Sequence, residues 1–321
     1  MKTSVALCTY NGEDFIREQL DSILQQTVPV DEIVICDDGS SDSTLSILNQ
    51  YDINNPGIFQ IFRNDKNLRS VKNFEKAITL CKNDIIFLSD QDDFWVPQKV
   101  ETMLASFRKN PHISVLCSNG YGINQKGEAL DVITIWDVPQ FLKESGIPVD
   151  YFKIISYVGN IATGATMAIR KDFTSEILPF PQKKGFHHDE WIALVASYHN
   201  QFDLLNERLI KYRTHDNQQV GGVFYPNNQS TRKQLIRFFN LFGEHKNFAA
   251  YKKLLKRLTE ANEKIRGFRE NGIEHPLLNH QEKDLRQVYS DIKAKFRTEY
   301  PVRYLLLFCM DKVTGKRQMQ S

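Results

Sequence analysis

Three short polar clusters, Thr9-Tyr10-Asn11, Asp37-Asp38-Gly39-Ser40-Ser41 and Asp90-Gln91-Asp92-Asp93, each follow directly on a run of core-type residues. The runs are Ser4–Cys8, Glu32–Cys36 and Ile85–Ser89, mostly aliphatic and β-branched, as strands covered on both faces are. Helical spacing fills the gaps between them. Phe15, Ile16, Leu20, Ile23 and Leu24 mark the inner face of one helix, and others are predicted over roughly 43–51, over Val71–Cys81, and from Pro97 to about Lys109. Ile58–Phe62 and Ile113–Cys117 read as further strands. Alternation at this spacing implies parallel strands joined by right-handed crossovers. Ligands of such sheets sit outside the carboxyl ends of the strands. The three clusters are therefore expected to converge on one edge.

Beyond Cys117 the pattern weakens, with a loop around Asn124–Gly127 and a variable stretch to Gly159. Ala165–Ile169 is again strand-like, and Asp189–Tyr198 reads as a helix with Trp191, Leu194 and Val195 inward. After residue 230 the chain looks helical throughout, and Phe248, Tyr251, Leu254, Leu255 and Leu258 form one stripe. The net charge of +2 conceals an asymmetry. Residues 230–321 carry 20 Lys and Arg against 10 Asp and Glu, and residues 1–229 carry 21 against 29. This suggests a catalytic domain at 1–229 and a basic helical region at 230–321. The amino terminus turns polar too soon for a signal-peptide core, and the apolar run Tyr304–Met310 is far shorter than a span. Five scattered cysteines without a C-x-x-C pair suit a reducing compartment. A cytoplasmic location is expected.

Three carboxylates within Asp90-Gln91-Asp92-Asp93 repel one another unless a cation neutralises them. A hard dication such as Mn²⁺ or Mg²⁺ takes oxygen ligands and bridges to a diphosphate; the plain alternative is a solvated acidic turn. Asp38 at a strand end suits a nucleoside base or ribose, or equally an N-capping turn. Tyr10 offers a ring for stacking, and Gly12 lets backbone approach a ligand. In His187-His188-Asp189-Glu190-Trp191, Asp189 suits a general base, or simply favourable charge in a first helical turn. His215, in Tyr212-Arg213-Thr214-His215-Asp216-Asn217, is a candidate nitrogen ligand. No Ser–His–Asp pattern, zinc spacing or phosphate-cradling G-x-x-x-x-G-K-[ST] loop is present.

In combination, the runs Val5–Gly12, Val34–Asp42 and Leu88–Trp95 resemble family 2 glycosyltransferases, in particular bacterial rhamnosyltransferases and related hexosyltransferases of cell-surface polysaccharide assembly. The resemblance covers about residues 1–225. It implies an α/β fold of the GT-A (Rossmann-like) type, a mostly parallel sheet flanked by helices, followed here by the helical C-terminal region. It implies that Thr9, Tyr10, Asn11, Asp38 and Asp90 serve the nucleotide, Asp92 and His215 the metal, and Asp189 catalysis. Gly164, Trp191, Arg213 and Asp93 fall at the acceptor and diphosphate side. One departure is Asn67-Leu68-Arg69-Ser70, where relatives often have Asn-x-Gly.

The expected activity is inverting transfer of a hexose from a UDP- or dTDP-sugar to a saccharide or lipid-linked saccharide. A nucleotidyltransferase would need a Gly-rich basic loop after the first strand, which Thr9–Gly12 is not. A sugar-nucleotide-binding scaffold is the other alternative. Nucleic acid is not an expected partner. The C-terminal helices are expected to meet anionic membrane, to pack on the catalytic part, or to join a second subunit.

Overall fold

The computed structural model describes residues 1–319 apart from 183–184, 216–222, 241–242, 244–246, 271 and 315. The first half alternates as its spacing predicts: β1 (Thr3–Thr9), α1 (Ile16–Leu24), β2 (Glu32–Asp37), α2 (Thr44–Asn54), β3 (Phe59–Arg63), α3 (Arg69–Leu80), β4 (Ile85–Ser89), β5 (Phe94–Trp95), α4 (Lys99–Lys109) and β6 (Val115–Ile123). Then come β7 (Val132–Thr134), α5 (Val138–Glu144), α6 (Tyr151–Tyr157), β8 (Met167–Arg170), α7 (Thr174–Ile177), α8 (His188–Tyr198), β9 (Phe202–Arg213) and β10 (Phe224–Pro226). Four helices close the described chain: α9 (Gln229–Phe239), α10 (Phe248–Glu270), α11 (Pro276–Glu299) and α12 (Pro301–Thr314).

Among the described residues the main sheet has the order β3-β2-β1-β4-β8-β6-β9-β5, with β10 and β7 forming a separate ribbon. β1, β2, β3 and β4 pair in parallel, and every residue of β1, β2 and β4 is buried. Register sets the functional edge. Thr9 stands opposite Asp37, and Leu7 opposite Ser89, so the three polar clusters leave the sheet side by side.

The second half departs from simple alternation. β8 runs antiparallel between β4 and β6, while β6 and β9 pair in parallel with a register shift between Ser118 and Gly120. β5 lies antiparallel on β9, with Phe94 opposite Lys211. That pairing draws the end of the acidic cluster towards the segment after Arg213.

The C-terminal helices share the core. Leu254, Leu258, Ala261, Ile265 and Phe268 of α10 belong to the same buried cluster as the sheet residues. Phe268 stands 4.6 Å from the ring of Phe186 and 5.7 Å from that of Trp191. The stripe Tyr251, Leu254, Leu255 and Leu258 is thus a packing face, because its apolar area has found other protein. A smaller cluster of Tyr251, Leu255, Phe296 and Leu307 holds α10, α11 and α12 together. No helix of the described residues is long and apolar enough to cross a membrane.

Candidate active site

A cleft of about 1100 Å³ opens at the carboxyl ends of β1, β2 and β4. Its lining includes Thr9, Tyr10, Asn11, Asp38, Asp90, Asp92, Gly164, Asp189 and His215. Each reaches it by its own local construction.

Asp37 is the anchor of the β2 turn. Its carboxylate accepts from the Thr9 hydroxyl, the Ser40 hydroxyl and the N–H groups of Gly39 and Ser40. Asn11 adopts a left-handed φ of 48°, tolerable for Asn, and its Oδ1 accepts from the Ser41 N–H at 2.9 Å. Asp38 is buried and accepts from the N–H groups of Leu68 and Arg69 and from Asn64. Asp38 therefore orders the loop that enters α3 as well as facing the cleft. Arg69, where relatives often carry Gly, sits at φ 63°. The backbone takes a left-handed turn there although the residue is not glycine.

Tyr10 leaves its ring 46% exposed at the rim. Its main chain is clasped by Gln91, which accepts from the Tyr10 N–H at 2.8 Å and donates to its carbonyl at 3.0 Å. The clasp explains Gly12, since an added Cβ would lie 2.3 Å from Gln91 Oε1. Sequence reading passed over Gln91 as the spacer of the acidic motif; nothing in its type signals a contact 81 residues back.

Around the acidic motif the carboxylates differ. Asp90 is pushed up to about 7, by burial first and then by Asp92 and Asp189. Asp92 Oδ2 lies 2.8 Å from His215 Nε2, which brings together the two residues read as metal ligands. The contact is a hydrogen bond, and because two neighbouring ligands of an octahedral dication with bonds near 2.1 Å also stand about 3 Å apart, the pair has the spacing to exchange that proton for such an ion. Among the described residues no three His, Cys, Asp or Glu side chains gather as a metal cage. Asp216 and Asn217 lie outside the described residues.

Three expected residues do not line the cleft. Asp93 is buried below it and held well above the usual carboxylate range by burial and by Asp92 and Asp90; its Oδ1 accepts from the Arg213 N–H. The Arg213 guanidinium is 1% exposed, donates to the Asp92 and Gln125 carbonyls and to Glu18, and stacks over Phe15. It braces the loops beneath the cleft and does not line it, its guanidinium taken up by the Asp92 and Gln125 carbonyls and by Glu18. Trp191 is core, its Nε1 donating to the Ile177 carbonyl.

Asp189 opens α8 and accepts from the N–H groups of Gly164 and Glu190, with Asn160 Nδ2 at 3.4 Å. Burial pushes it up to about 6, against the opposing pull of His187 and those N–H groups. Glu190 is engaged by Lys264 of α10. His188, stacked on Phe74, is driven down to about 3 by burial, and its Nε2 would lie 2.9 Å from a Cβ on Gly164. Lys99, beneath the motif, donates to the Ala165 carbonyl at 2.7 Å, and burial lowers it to about 7.

The far wall was not foreseen. Ile135, Val223, Tyr225, Phe238 and Phe239 form an apolar face, so α9 contributes to the cleft. Arg257 of α10 lies 3.6 Å from the centre of the Phe238 ring. Nothing in the sequence sets the phenylalanines at the end of α9 apart, and only the fold reveals which wall they form.

Residues 4–178, more than half of the chain, match the family described as Glycosyl transferase family 2. The chain is 33% identical over 135 residues to chondroitin synthase of Escherichia coli, a match covering 42% of this chain and 19% of that protein. It is 29% identical over 226 residues to the dTDP-rhamnosyl transferase RfbG of Shigella flexneri, covering 67% of this chain and 73% of the other. Among solved structures, residues 1–349 of S. aureus TarS in complex with UDP-GlcNAc align with a TM-score of 0.54 at 17% identity, covering 93% of this chain and 92% of that one. At that identity the likeness is one of fold.

Proposed function

The chain belongs to glycosyl transferase family 2, and from that premise we propose that it is an inverting hexosyltransferase using a nucleoside-diphosphate sugar and a hydroxyl acceptor. The observation that carries this is the meeting in one cleft of Asp90, the Asp92–His215 pair and the carboxylate of Asp189. Asp189 takes the proton of the acceptor hydroxyl, whose oxygen attacks the anomeric carbon. The bond to the diphosphate breaks with its electron pair on the leaving oxygen. A single displacement inverts the centre.

Asp189 is favoured over Glu190 as the base. A pKa lifted to about 6 suits proton abstraction near neutral pH, whereas Glu190 is already paired with Lys264. Asp92 and His215 would hold Mn²⁺ or Mg²⁺, which when bound would neutralise charge on the leaving diphosphate. The exposed Tyr10 ring serves the nucleoside base, while Thr9, Asn11 and Asp38 shape its pocket. The name of the Shigella relative supports dTDP as one donor nucleotide; UDP is the other considered. The apolar wall of Tyr225, Phe238 and Phe239 suits the faces of a saccharide acceptor, free or lipid-linked. Residues 1–229 would then hold the chemistry and 230–321 complete the acceptor side, in the cytoplasm beside the inner face of the membrane.

The test is a panel of UDP- and dTDP-hexoses incubated with saccharide acceptors, with Mn²⁺ and with chelator, reading free nucleoside diphosphate. Metal-dependent release with glycosylated product is expected. Pyrophosphate release from a nucleoside triphosphate and sugar phosphate would instead make the protein a nucleotidyltransferase, and binding without turnover would make it a scaffold.

A further inference from the structure

Helix α12 is held by one face only. Leu307 and Asp311 are buried, Leu307 in the cluster with Tyr251, Leu255 and Phe296. The opposite face is apolar and open. Val302 is 71% exposed, Leu305 60%, Leu306 63%, Met310 60% and Val313 88%, and Cys309 is exposed among them. Steps of three, one, three, one and three residues put all six on one stripe of a 3.6-residue helix. A helix packed on protein normally turns polar residues to water, and contiguous apolar surface left open marks an interaction site.

Charge indicates the partner. Arg303 and Lys312 are both exposed, and at 100° per residue they fall on opposite borders of the stripe. The exposed residues of α12 include no Asp or Glu, since Asp311 is buried and paired with Arg317. Exposed Arg297 and Lys316 adjoin the same helix, as does Glu299, which accepts from the Tyr251 hydroxyl, within a region that has twice as many basic as acidic residues. A second copy of the chain, meeting α12 face to face, would bring only the basic residues Arg303 and Lys312 to the rim, with no exposed acidic residue of either α12 to pair them. Like charges at the rim disfavour that contact.

We propose that the Val302–Val313 stripe of α12 docks the protein on anionic lipid bilayers, lying in the plane of the interface. Apolar side chains enter the headgroup–acyl boundary while Arg303 and Lys312 reach back to the phosphates. Fourteen residues are far too few to span a bilayer, so the contact is peripheral. The inference is independent of which sugar the cleft transfers.

Cys309 provides the probe, because the other four cysteines are buried. An environment-sensitive fluorophore on Cys309 of the full chain is mixed with phosphatidylglycerol-containing vesicles and with pure phosphatidylcholine vesicles. A blue shift is expected with the anionic vesicles only, quenched by spin labels in the acyl chains and reduced by salt. Arg303→Glu with Lys312→Glu should weaken partition by about fivefold for each positive charge removed. Leu305→Glu with Leu306→Glu should abolish it, with circular dichroism unchanged because both positions are exposed. A shift that needs no lipid and grows with protein concentration would make the stripe a self-association surface and overturn the proposal. Equal partition to neutral vesicles, or none to either, would do the same.

Discussion

Asp189 and Glu190 share the first turn of α8, where the helix dipole favours negative charge at both. Both line the cleft, and their partners separate them: Lys264 engages Glu190, whereas main-chain N–H groups hold Asp189. Asp189→Asn should lower turnover by about 10²–10⁴-fold, with donor affinity nearly unchanged. The base works ionised, and its pKa is raised to about 6, so protonation removes it as pH falls. The rate should climb about tenfold per pH unit below 6 and level off above it. A profile flat from pH 5 to 8, or full activity in Asp189→Asn, would reassign the base. Asp92→Asn should raise the Mn²⁺ concentration needed for half-maximal turnover and cut the maximal rate, with unfolding unchanged. Wild-type turnover of that variant under chelator would end the metal assignment. That Asp90 and Asp92 line the cleft was legible because residue type and strand-end position coincide, and for Asp189 because an acidic residue opens a helix. Arg213 was not, since loop and strand end look alike until β9 is known to run through residue 213. Gln91 was not either, because its work is a clasp on the Tyr10 main chain.

At the scale of elements, the loop from Asn64 to Arg69 shows how a helix start can hold a non-glycine residue in the left-handed region. Two N–H groups converge on the Asp38 carboxylate, and they fix Arg69 in the left-handed region that side chains disfavour. Arg69→Gly should keep both hydrogen bonds and remove that cost, offset in part by the entropy of glycine. A gain of about 0.5–1 kcal/mol is expected as a higher denaturant midpoint at constant slope, with Arg69→Ala giving none. An equal gain from Ala would mean that the Arg side chain, and not the backbone, was the burden. The elements visible beforehand were those with local signals, β1 to α4, where each strand is a short apolar run followed by a helical stripe. β9 was missed because Asn206-Glu207-Arg208 interrupts its alternation near the shift in register with β6. The antiparallel insertion of β8 between β4 and β6 is a long-range choice that no window of residues records.

For the whole molecule, the change of charge near residue 230 invites a division that the core does not share. Charges lie on the surface and report on partners, whereas continuity is set by apolar contacts that a charge count cannot register. Phe268 of α10 packs against Phe186 and Trp191, and Tyr157 of α6 donates to Asp284 of α11 at 2.6 Å. The three tryptophans, Trp95, Trp136 and Trp191, all lie before residue 230, so their fluorescence reports chiefly the first part, with Trp191 also sensing α10 through Phe268. Helical circular dichroism, by contrast, draws as many residues from α9 to α12 as from α1 to α8. If the described core unfolds as one unit, both signals should give a single coincident transition. Phe268→Ala should then move the two together, by about 3–5 kcal/mol for a buried aromatic truncated to Ala. Two independent units would behave differently: the helical signal would shift while the tryptophan transition stayed in place. That outcome would restore the boundary at residue 230 as a true domain border and leave the contact of Phe268 with Trp191 energetically idle.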